Sequence, residues 1–239
     1  MIKLITAVNR VQILSLEHLV PITLAIIITV VLIRYARTIS SESQQRLIHY
    51  IAIFISLTVM FFHVYNMLTN DYNFKTDLPL YLCSLLGILI PVFTYYQKYW
   101  MFEILVFWII AGTLQGVITP DIAEGSLSLD YFRYWIVHLG LLMVIFYTVF
   151  VFRLKPKFKS VIKSFLALQV YVILMIAINY FLEANYFYLN RKPESASLLD
   201  YFGEWPYYII VGQLIIIPLF IFIYLPFYIS EVTKKSLSK

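Results

Sequence analysis

Two side chains of this sequence, Cys83 and His138, could together perform nucleophilic chemistry. A thiolate is a strong nucleophile, and a nearby imidazole can take the proton of the thiol and later return it. Each residue also has an ordinary structural explanation. A lone cysteine in an apolar helix usually packs as a small hydrophobe, and a buried histidine usually belongs to a hydrogen-bond network. The chemical interpretation therefore requires that the two residues lie at one depth of the same fold.

Further polar residues are candidates for stabilising or binding a substrate. Gln115 could donate a hydrogen bond to an oxyanion, a role that amide side chains can fill. The expected substrate-binding residues are His18, His63, Asn66, Asn179, Asn185, Trp205 and Gln213. This interpretation assigns no metal ligand and no cofactor.

A second interpretation uses three of the four histidines as zinc ligands. His18, His63 and His138, with Asp121 nearby, could hold zinc and leave one position for water. The spacing does not favour such a site, because no two of these residues form a local HxxxH pattern and each falls in a different apolar segment. A zinc-dependent lipid hydrolase therefore stays as an alternative.

The composition indicates which structure must position these residues. Of 239 residues, 62% are hydrophobic and 13% are charged, whereas soluble domains have roughly 45–50% apolar and about 25% charged residues. A transmembrane helix needs about 20 apolar residues, and helices are favoured because hydrocarbon leaves backbone groups no other partner. We predict one all-α domain over 1–239, a bundle of seven transmembrane helices at about 18–36, 47–68, 77–96, 100–119, 131–153, 161–184 and 206–229.

The basic residues predict the orientation of this bundle. Twelve of the eighteen Lys and Arg residues fall on one side of the predicted spans and six on the other. Because cytoplasmic loops carry the excess of positive charge, we expect an outside N-terminus and a cytoplasmic C-terminus. The loop RLKPKFKSVIK marks the cytoplasmic side. Topology thus explains the net charge of +5, so we expect no nucleic-acid partner and a location in the cell membrane, the plasma membrane of a bacterium.

With this orientation, polar side chains from all seven predicted helices fall in the outer half of the bilayer. Cys83 lies six residues inside the predicted third helix and His138 seven residues inside the fifth, which is about 9 Å and about 10 Å deep. Unpaired polar groups are costly in hydrocarbon, so they normally face the interior of a bundle. This layer predicts a pocket that opens outward.

Several stretches together resemble the YwaF family of bacterial integral membrane proteins. They are LPLYLCSL (78–85), GTLQGVITPD (112–121), FRYWIVHLG (132–140) and NYFYLNRKPESASLLDYFGEWPYYI (185–209), with LEHLVP near the start. The resemblance covers nearly the whole chain. The family is similar to a eukaryotic seven-helix acyltransferase that builds ether phospholipids with an intramembrane cysteine. By this resemblance, Cys83 corresponds to that cysteine and His138 to its histidine partner.

Two positions depart from the family pattern. Tyr81 stands where the form LPLHLC has a histidine, and Glu204 stands where a proline usually precedes the Trp-Pro pair. The first departure removes a histidine that could assist the thiol from two residues away.

The sequence therefore predicts an intramembrane acyltransferase with a thioester intermediate on Cys83. The expected partners are membrane lipids: a phospholipid acyl donor, and a lysolipid or a lipoprotein amine as acceptor. The loop Asn185–Trp205 is expected to cover the site from outside. A transporter or receptor with an outward-facing pocket is a further alternative, although a carrier should also have polar residues in its cytoplasmic half. The oligomeric state is left open.

Overall fold

The part of the chain that the structure describes folds into seven helices of at least 15 residues, joined by short connecting segments. The computed structural model describes residues 10–69, 72–122, 125–193 and 197–237. Within these ranges no strand occurs, which confirms the all-α prediction. The helices are α1 (Leu16–Ala36), α2 (Ser41–Thr69), α3 (Leu82–Tyr96), α4 (Tyr99–Ile118), α5 (Leu129–Phe150), α6 (Phe158–Leu182) and α7 (Tyr207–Leu237), with 3-10 turns at Tyr186–Tyr188 and Leu198–Phe202.

Most of these helices have the length and composition of membrane spans. All except α3 contain an apolar stretch long enough to cross a bilayer, and α3 is a shorter apolar helix of 15 residues. Large apolar side chains such as Ile26, Ile173 and Phe222 are exposed on the outside of the bundle. Patches of this kind are unfavourable in water, and hydrocarbon would cover them. The chain is a multi-pass membrane protein.

Successive helices run in opposite directions, so the bundle has two distinct ends. At one end, the Tyr147 hydroxyl of α5 donates to the Gln44 carbonyl at the start of α2 (2.9 Å). At the other, the Tyr131 hydroxyl at the start of α5 donates to the Glu17 carbonyl at the start of α1 (2.7 Å). We call the first the basic end, because the RLKPKFKSVIK loop lies there, and the second the cavity end. Of the basic residues counted for orientation, Lys3 and Lys239 lie outside the described residues.

Helix α5 lies at the centre of the bundle. It begins after Ser128, whose hydroxyl accepts the Tyr131 N–H (3.0 Å) as an N-cap. More than half of its apolar segment is buried, against only 6% for α1. Gly140 lets α2 approach closely, because a Cβ there would lie 2.7 Å from the Ile55 side chain. A central α5 carries His138 into the interior.

The third helix begins five residues later than predicted. The prediction of a span over 77–96 is wrong at its first end, where Leu78–Tyr81 form a turn and α3 starts at Leu82. Tertiary hydrogen bonds hold this turn: the Tyr171 hydroxyl donates to the Leu80 carbonyl (2.6 Å), and the Leu78 N–H donates to the Tyr186 hydroxyl (2.9 Å). Apolar composition alone does not distinguish such a turn from a helix.

Two other helices, α2 and α7, extend beyond their predicted windows. Helix α2 begins at Ser41 rather than near 47, and α7 continues to Leu237 rather than ending near 229. Both extensions are polar. A hydropathy window delimits the part of a helix that suits hydrocarbon, whereas the hydrogen-bonded helix continues beyond it.

Candidate functional site

A cavity of about 630 Å³ lies at the cavity end, between α3, α4, α5, α6 and α7. Cys83, Gln115, His138 and Gln213, four of the residues singled out from the sequence, line it together. The remaining wall is mostly apolar and aromatic, and part of it comes from the segments 187–189 and 197–199. The cavity thus brings side chains from five helices and one loop to a common space.

Cys83 is the second residue of α3 and is half-buried. The first helical hydrogen bond runs from the Leu85 N–H to the Tyr81 carbonyl (2.9 Å). The N–H groups of Leu82, Cys83 and Ser84 therefore precede the helical ladder, as the first N–H groups of any helix do. They lie at the positive end of the helix dipole. This end favours a thiolate or a developing oxyanion, whereas burial opposes charge.

A hydroxyl group lies beside the thiol. The Cys83 Sγ is 3.9 Å from the Thr113 Oγ1, and either atom could be the donor. Thr113 is fully buried and is the last residue of the π-helical segment Ile109–Thr113 inside α4. Such π segments are rare and often occur at functional sites. Here the segment ends where α4 faces the cysteine.

The orientation of the His138 imidazole is fixed by Tyr134. The His138 Nδ1 lies 2.8 Å from the Tyr134 carbonyl. A carbonyl can only accept, so Nδ1 carries the proton and Nε2 is the basic nitrogen. The Tyr134 ring stacks on the imidazole with centroids 3.9 Å apart. Its hydroxyl donates to the Gly116 carbonyl (2.7 Å). Tyr134 therefore holds both the imidazole and the end of α4.

Two glycines allow α4 to lie close to the His138 imidazole and to the start of α3 beside the Cys83 thiol. A Cβ at Gly116 would be 2.8 Å from the His138 Nε2 and 3.0 Å from the Tyr134 hydroxyl. A Cβ at Gly112 would be 3.3 Å from the Leu82 side chain, next to Cys83. The contact at Gly116 is too short for any side chain, so the imidazole packs directly on the backbone of α4.

Two amide side chains face the cavity with part of their hydrogen-bonding capacity engaged. The Gln115 Nε2 donates to the Thr119 hydroxyl (2.9 Å), which uses one of its two N–H bonds. The Gln213 Oε1 accepts from the Gln169 Nε2 (2.8 Å), which joins α7 to α6. Each glutamine therefore retains an N–H that could donate to a ligand.

Charged and phenolic groups line the mouth of the cavity. Asp121 pairs with Arg10 (2.7 Å). Arg133 pairs closely with Asp130 and lies over the Phe62 ring, 4.4 Å from its centroid. These groups give the mouth both signs of charge.

The loop after α6 is fastened at Tyr188, whose carbonyl accepts from the Tyr208 hydroxyl (2.6 Å). Burial raises the pKa of the Tyr188 phenol, and the neighbouring Tyr81 and Asp121 raise it further. Tyr188 is therefore a neutral hydroxyl at neutral pH. It lines the mouth of the cavity from the loop side.

His18 and Asn179 do not line the cavity, although the sequence places them at the same end. The His18 Nδ1 accepts from the Leu14 N–H (2.9 Å), so its Nε2–H donates to the Val117 carbonyl (2.7 Å). Asn179 bonds the backbone of Tyr186 twice, through Nδ2 to the carbonyl (2.9 Å) and through Oδ1 from the N–H (2.7 Å). Both side chains fasten loops, and neither contributes to the cavity wall.

Four further predicted residues also lie away from the cavity wall. The Asn185 side chain closes its own loop, accepting from the N–H groups of residues 190 and 191. The Trp205 indole donates to the Leu189 carbonyl (3.1 Å). The His63 Nδ1 lies 3.4 Å from the Tyr72 hydroxyl. Asn66, near the end of α2, does not line the cavity either.

His18, His63 and His138, the histidines of the zinc alternative, do not form a metal site. Within the part of the chain that the structure describes, no three His, Cys, Asp or Glu side chains lie close enough to hold one ion. His18 uses both ring nitrogens in backbone hydrogen bonds, and only His138 of the three lines the cavity. The ligand set required by the zinc alternative is therefore not assembled.

Comparison with known proteins identifies the family. The model of the TMEM164 family matches residues 13–224, which is most of the chain. The chain belongs to the TMEM164 family. No curated protein and no solved structure matches it. Membership of the TMEM164 family agrees with the apolar helices in identifying a multi-pass membrane protein, and the matched range includes every residue that lines the cavity.

In this TMEM164-family chain, the sequence reasoning missed the residues that orient the chemical groups. Tyr134, Gly116 and Thr113 contact His138 or Cys83 but were not among the candidates. Two signals could have found Tyr134 and Gly116. Tyr134 and His138 are four residues apart, hence on one helix face. Gly112 and Gly116 form the small-xxx-small pattern of closely packed membrane helices.

Proposed function

We propose that this protein is an intramembrane transacylase in which Cys83 is the nucleophile and His138 the general base. One observation carries the proposal: the thiol and an imidazole with its basic Nε2 fixed by Tyr134 line the same cavity. A nucleophile and an oriented base in a shared site are the usual requirements of thiol-based acyl transfer. The further resemblance to the YwaF family and to the eukaryotic ether-lipid acyltransferase supports the same chemistry.

The first half-reaction transfers an acyl group from lipid to protein. The Cys83 thiol gives its proton to the His138 Nε2, and the sulfur attacks the carbonyl carbon of a phospholipid ester. The tetrahedral intermediate collapses, the carbon–oxygen bond to glycerol breaks, and the leaving alkoxide takes the proton from His138. The products are a lysolipid and a thioester on Cys83.

The second half-reaction transfers the acyl group to an acceptor. A lysolipid hydroxyl or a lipoprotein amine loses its proton to the His138 Nε2 and attacks the thioester carbonyl. The carbon–sulfur bond breaks, and the Cys83 thiolate recovers the proton from His138. The apolar wall of the cavity limits hydrolysis of the thioester by keeping water scarce.

Donors for the oxyanion come from α3 and α4. The free N–H of Gln115 is one candidate, and the N–H groups of the first turn of α3 are others. Fixed donors of this kind contribute strongly because they need no reorganisation when charge develops. Asn66 and Asn179 do not line the cavity, so we assign them no part in this step.

The proposed topology places this chemistry in the outer leaflet. All seven helices cross the membrane, with the short α3 completed by the turn at Leu78–Tyr81. The excess of Lys and Arg at the basic end favours a cytoplasmic C-terminus and an outside N-terminus. In this arrangement the cavity end faces outward in a bacterial plasma membrane, and phospholipids of the outer leaflet can act as donors.

A reconstituted transfer assay tests the proposal. Purified protein in lipid nanodiscs is given a phospholipid with an isotopically labelled acyl chain and an unlabelled lysolipid, and labelled product is measured by mass spectrometry. We expect transfer with the wild-type chain and at least about a 10³-fold loss in Cys83→Ser. Full activity of a folded Cys83→Ser variant would overturn the assignment of the nucleophile.

A further inference from the structure

The cavity has two parts with different linings. The part at the cavity end carries the thiol, the imidazole and the polar mouth. The part that extends toward the middle of the bundle is apolar, lined by Trp108, Ala111, Leu168, Ile216, Leu219 and Phe220. We call this second part the apolar slot. It is continuous with the space beside Cys83.

The apolar slot is closed at its inner end by aromatic contacts between helices. The Phe107 ring of α4 and the Phe220 ring of α7 pack with centroids 5.2 Å apart, and both side chains are fully buried. The Trp108 Nε1 donates to the Ser164 carbonyl of α6 (3.0 Å). Helices α4, α6 and α7 therefore meet at this level, and Phe220 forms the floor of the slot.

The depth of the whole cavity, from its mouth to its floor, follows from the positions of its lining residues on α7. Ile209 lies near the mouth and Phe220 at the floor, both on the cavity wall. Eleven residues of helix correspond to about 16 Å. The apolar slot is the inner part of this depth, within the membrane-spanning part of the bundle, and its apolar lining suits a hydrocarbon chain rather than a polar headgroup.

We propose that the apolar slot binds one fatty acyl chain, with its carbonyl group beside Cys83 and its methyl end against Phe220. This inference rests on the proposed transacylase function and adds a specificity determinant to it. The position of Phe220 limits the length of the chain, because further methylenes would collide with a floor that is already fully packed.

Binding can be measured without catalysis, which separates this inference from the proposed function. We would use Cys83→Ala protein in nanodiscs and free fatty acids of several chain lengths that carry a terminal diazirine. After photolysis, the modified peptides are identified by mass spectrometry. We expect labelling at Trp108, Leu168 or Phe220. Labelling confined to lipid-facing positions such as Leu214 and Phe222 would overturn the proposal that the slot binds the acyl chain.

Length selection is tested by changing the floor. Phe220→Ala should shift preference toward longer chains by about tenfold, since each newly buried methylene is worth roughly a factor of four. Phe222→Ala is the matched control, because Phe222 is on the same helix but 71% exposed. An unchanged length profile in folded Phe220→Ala would contradict the inference.

A second variant covers the case in which Phe220→Ala does not fold. Ala111→Phe adds volume inside the slot from α4, so it should shift preference toward shorter chains. No shift in this variant would also overturn the inference. Labelling of the slot without any thioester on Cys83 in the wild-type chain would retain the binding site and reject the transacylase.

Discussion

The two ends of the bundle treat buried polar groups in opposite ways. At the basic end, the Glu103 carboxylate is only 3% exposed and accepts from both the Ser160 hydroxyl and the Lys163 ammonium (2.7 Å each). At the cavity end, the Cys83 thiol has a single long contact with Thr113, and the His138 Nε2 packs on Gly116 at the cavity wall. The polar groups of the Glu103 cluster are fully hydrogen-bonded, whereas the cavity end retains a thiol and an imidazole nitrogen at the cavity wall.

This difference indicates that polar groups at the basic end stabilise the fold, whereas those at the cavity end are available for chemistry. A buried carboxylate without partners is costly, so the Glu103 cluster must be complete for the bundle to be stable. The proposed catalytic base, by contrast, must keep one nitrogen available to substrate, and Tyr134 engages only the His138 Nδ1. Substitutions at the two ends should therefore affect different measurements.

The largest effect on activity, after loss of the thiol itself, is expected for His138→Asn. Removal of a general base typically lowers the rate by about 10²–10⁴-fold. Transfer between labelled phospholipid and lysolipid is the measurement, with thermal unfolding in detergent as a test of the fold. Activity within threefold of wild type would exclude His138 as the base.

A smaller loss of about 10²-fold is expected for Gly116→Ala. The new methyl group would displace the His138 imidazole, whose Nε2 would lie 2.8 Å from it, and misplacement by about 1 Å can cost this much. The control is Gly212→Ala, which also adds a methyl group at the cavity wall, but with no other atom within 4 Å of it and so no contact with His138. If both variants lose activity equally, the packing of His138 against α4 is not the cause.

The smallest effect, and one on stability alone, is expected for Lys163→Met. It leaves the buried Glu103 carboxylate with only Ser160, and we expect a loss of about 2 kcal/mol, at the low end for a broken buried pair because Lys163 is half exposed. Thermal unfolding in detergent measures it, against Lys159→Met, an exposed lysine on the same helix. A loss of acyl transfer per folded molecule would contradict the separation of the two ends.

Much of the fold could be predicted from hydropathy, because a bilayer requires long apolar helices whose backbone bonds are internal. The start of α3 could not. The segment 77–81 is apolar enough to belong to a helix, and the hydroxyls of Tyr171 and Tyr186, which are distant in sequence, help to hold it in a turn. As a result, Cys83 was expected inside a helix, whereas the structure places it in the first turn of α3. This position brings backbone N–H groups near the sulfur.

The sequence predicted at which end of the bundle the site residues lie, but it did not predict which of their side chains face the cavity. Gln213 and His18 were both expected at the outer side, yet Gln213 lines the cavity and His18 bonds the backbone at Leu14 and Val117. The depth of a residue follows from counting along a helix. Which side chains face a common cavity depends on the rotation of each helix about its axis, and tertiary packing sets that rotation.

The most direct measurement is the intact mass of the protein after brief exposure to a phospholipid donor without acceptor. The account predicts a mass increase equal to one acyl group, located at Cys83 by peptide mapping, released by neutral hydroxylamine and absent from Cys83→Ser. Acyl transfer that proceeds in the assay with no acyl group ever detected on Cys83 would contradict it.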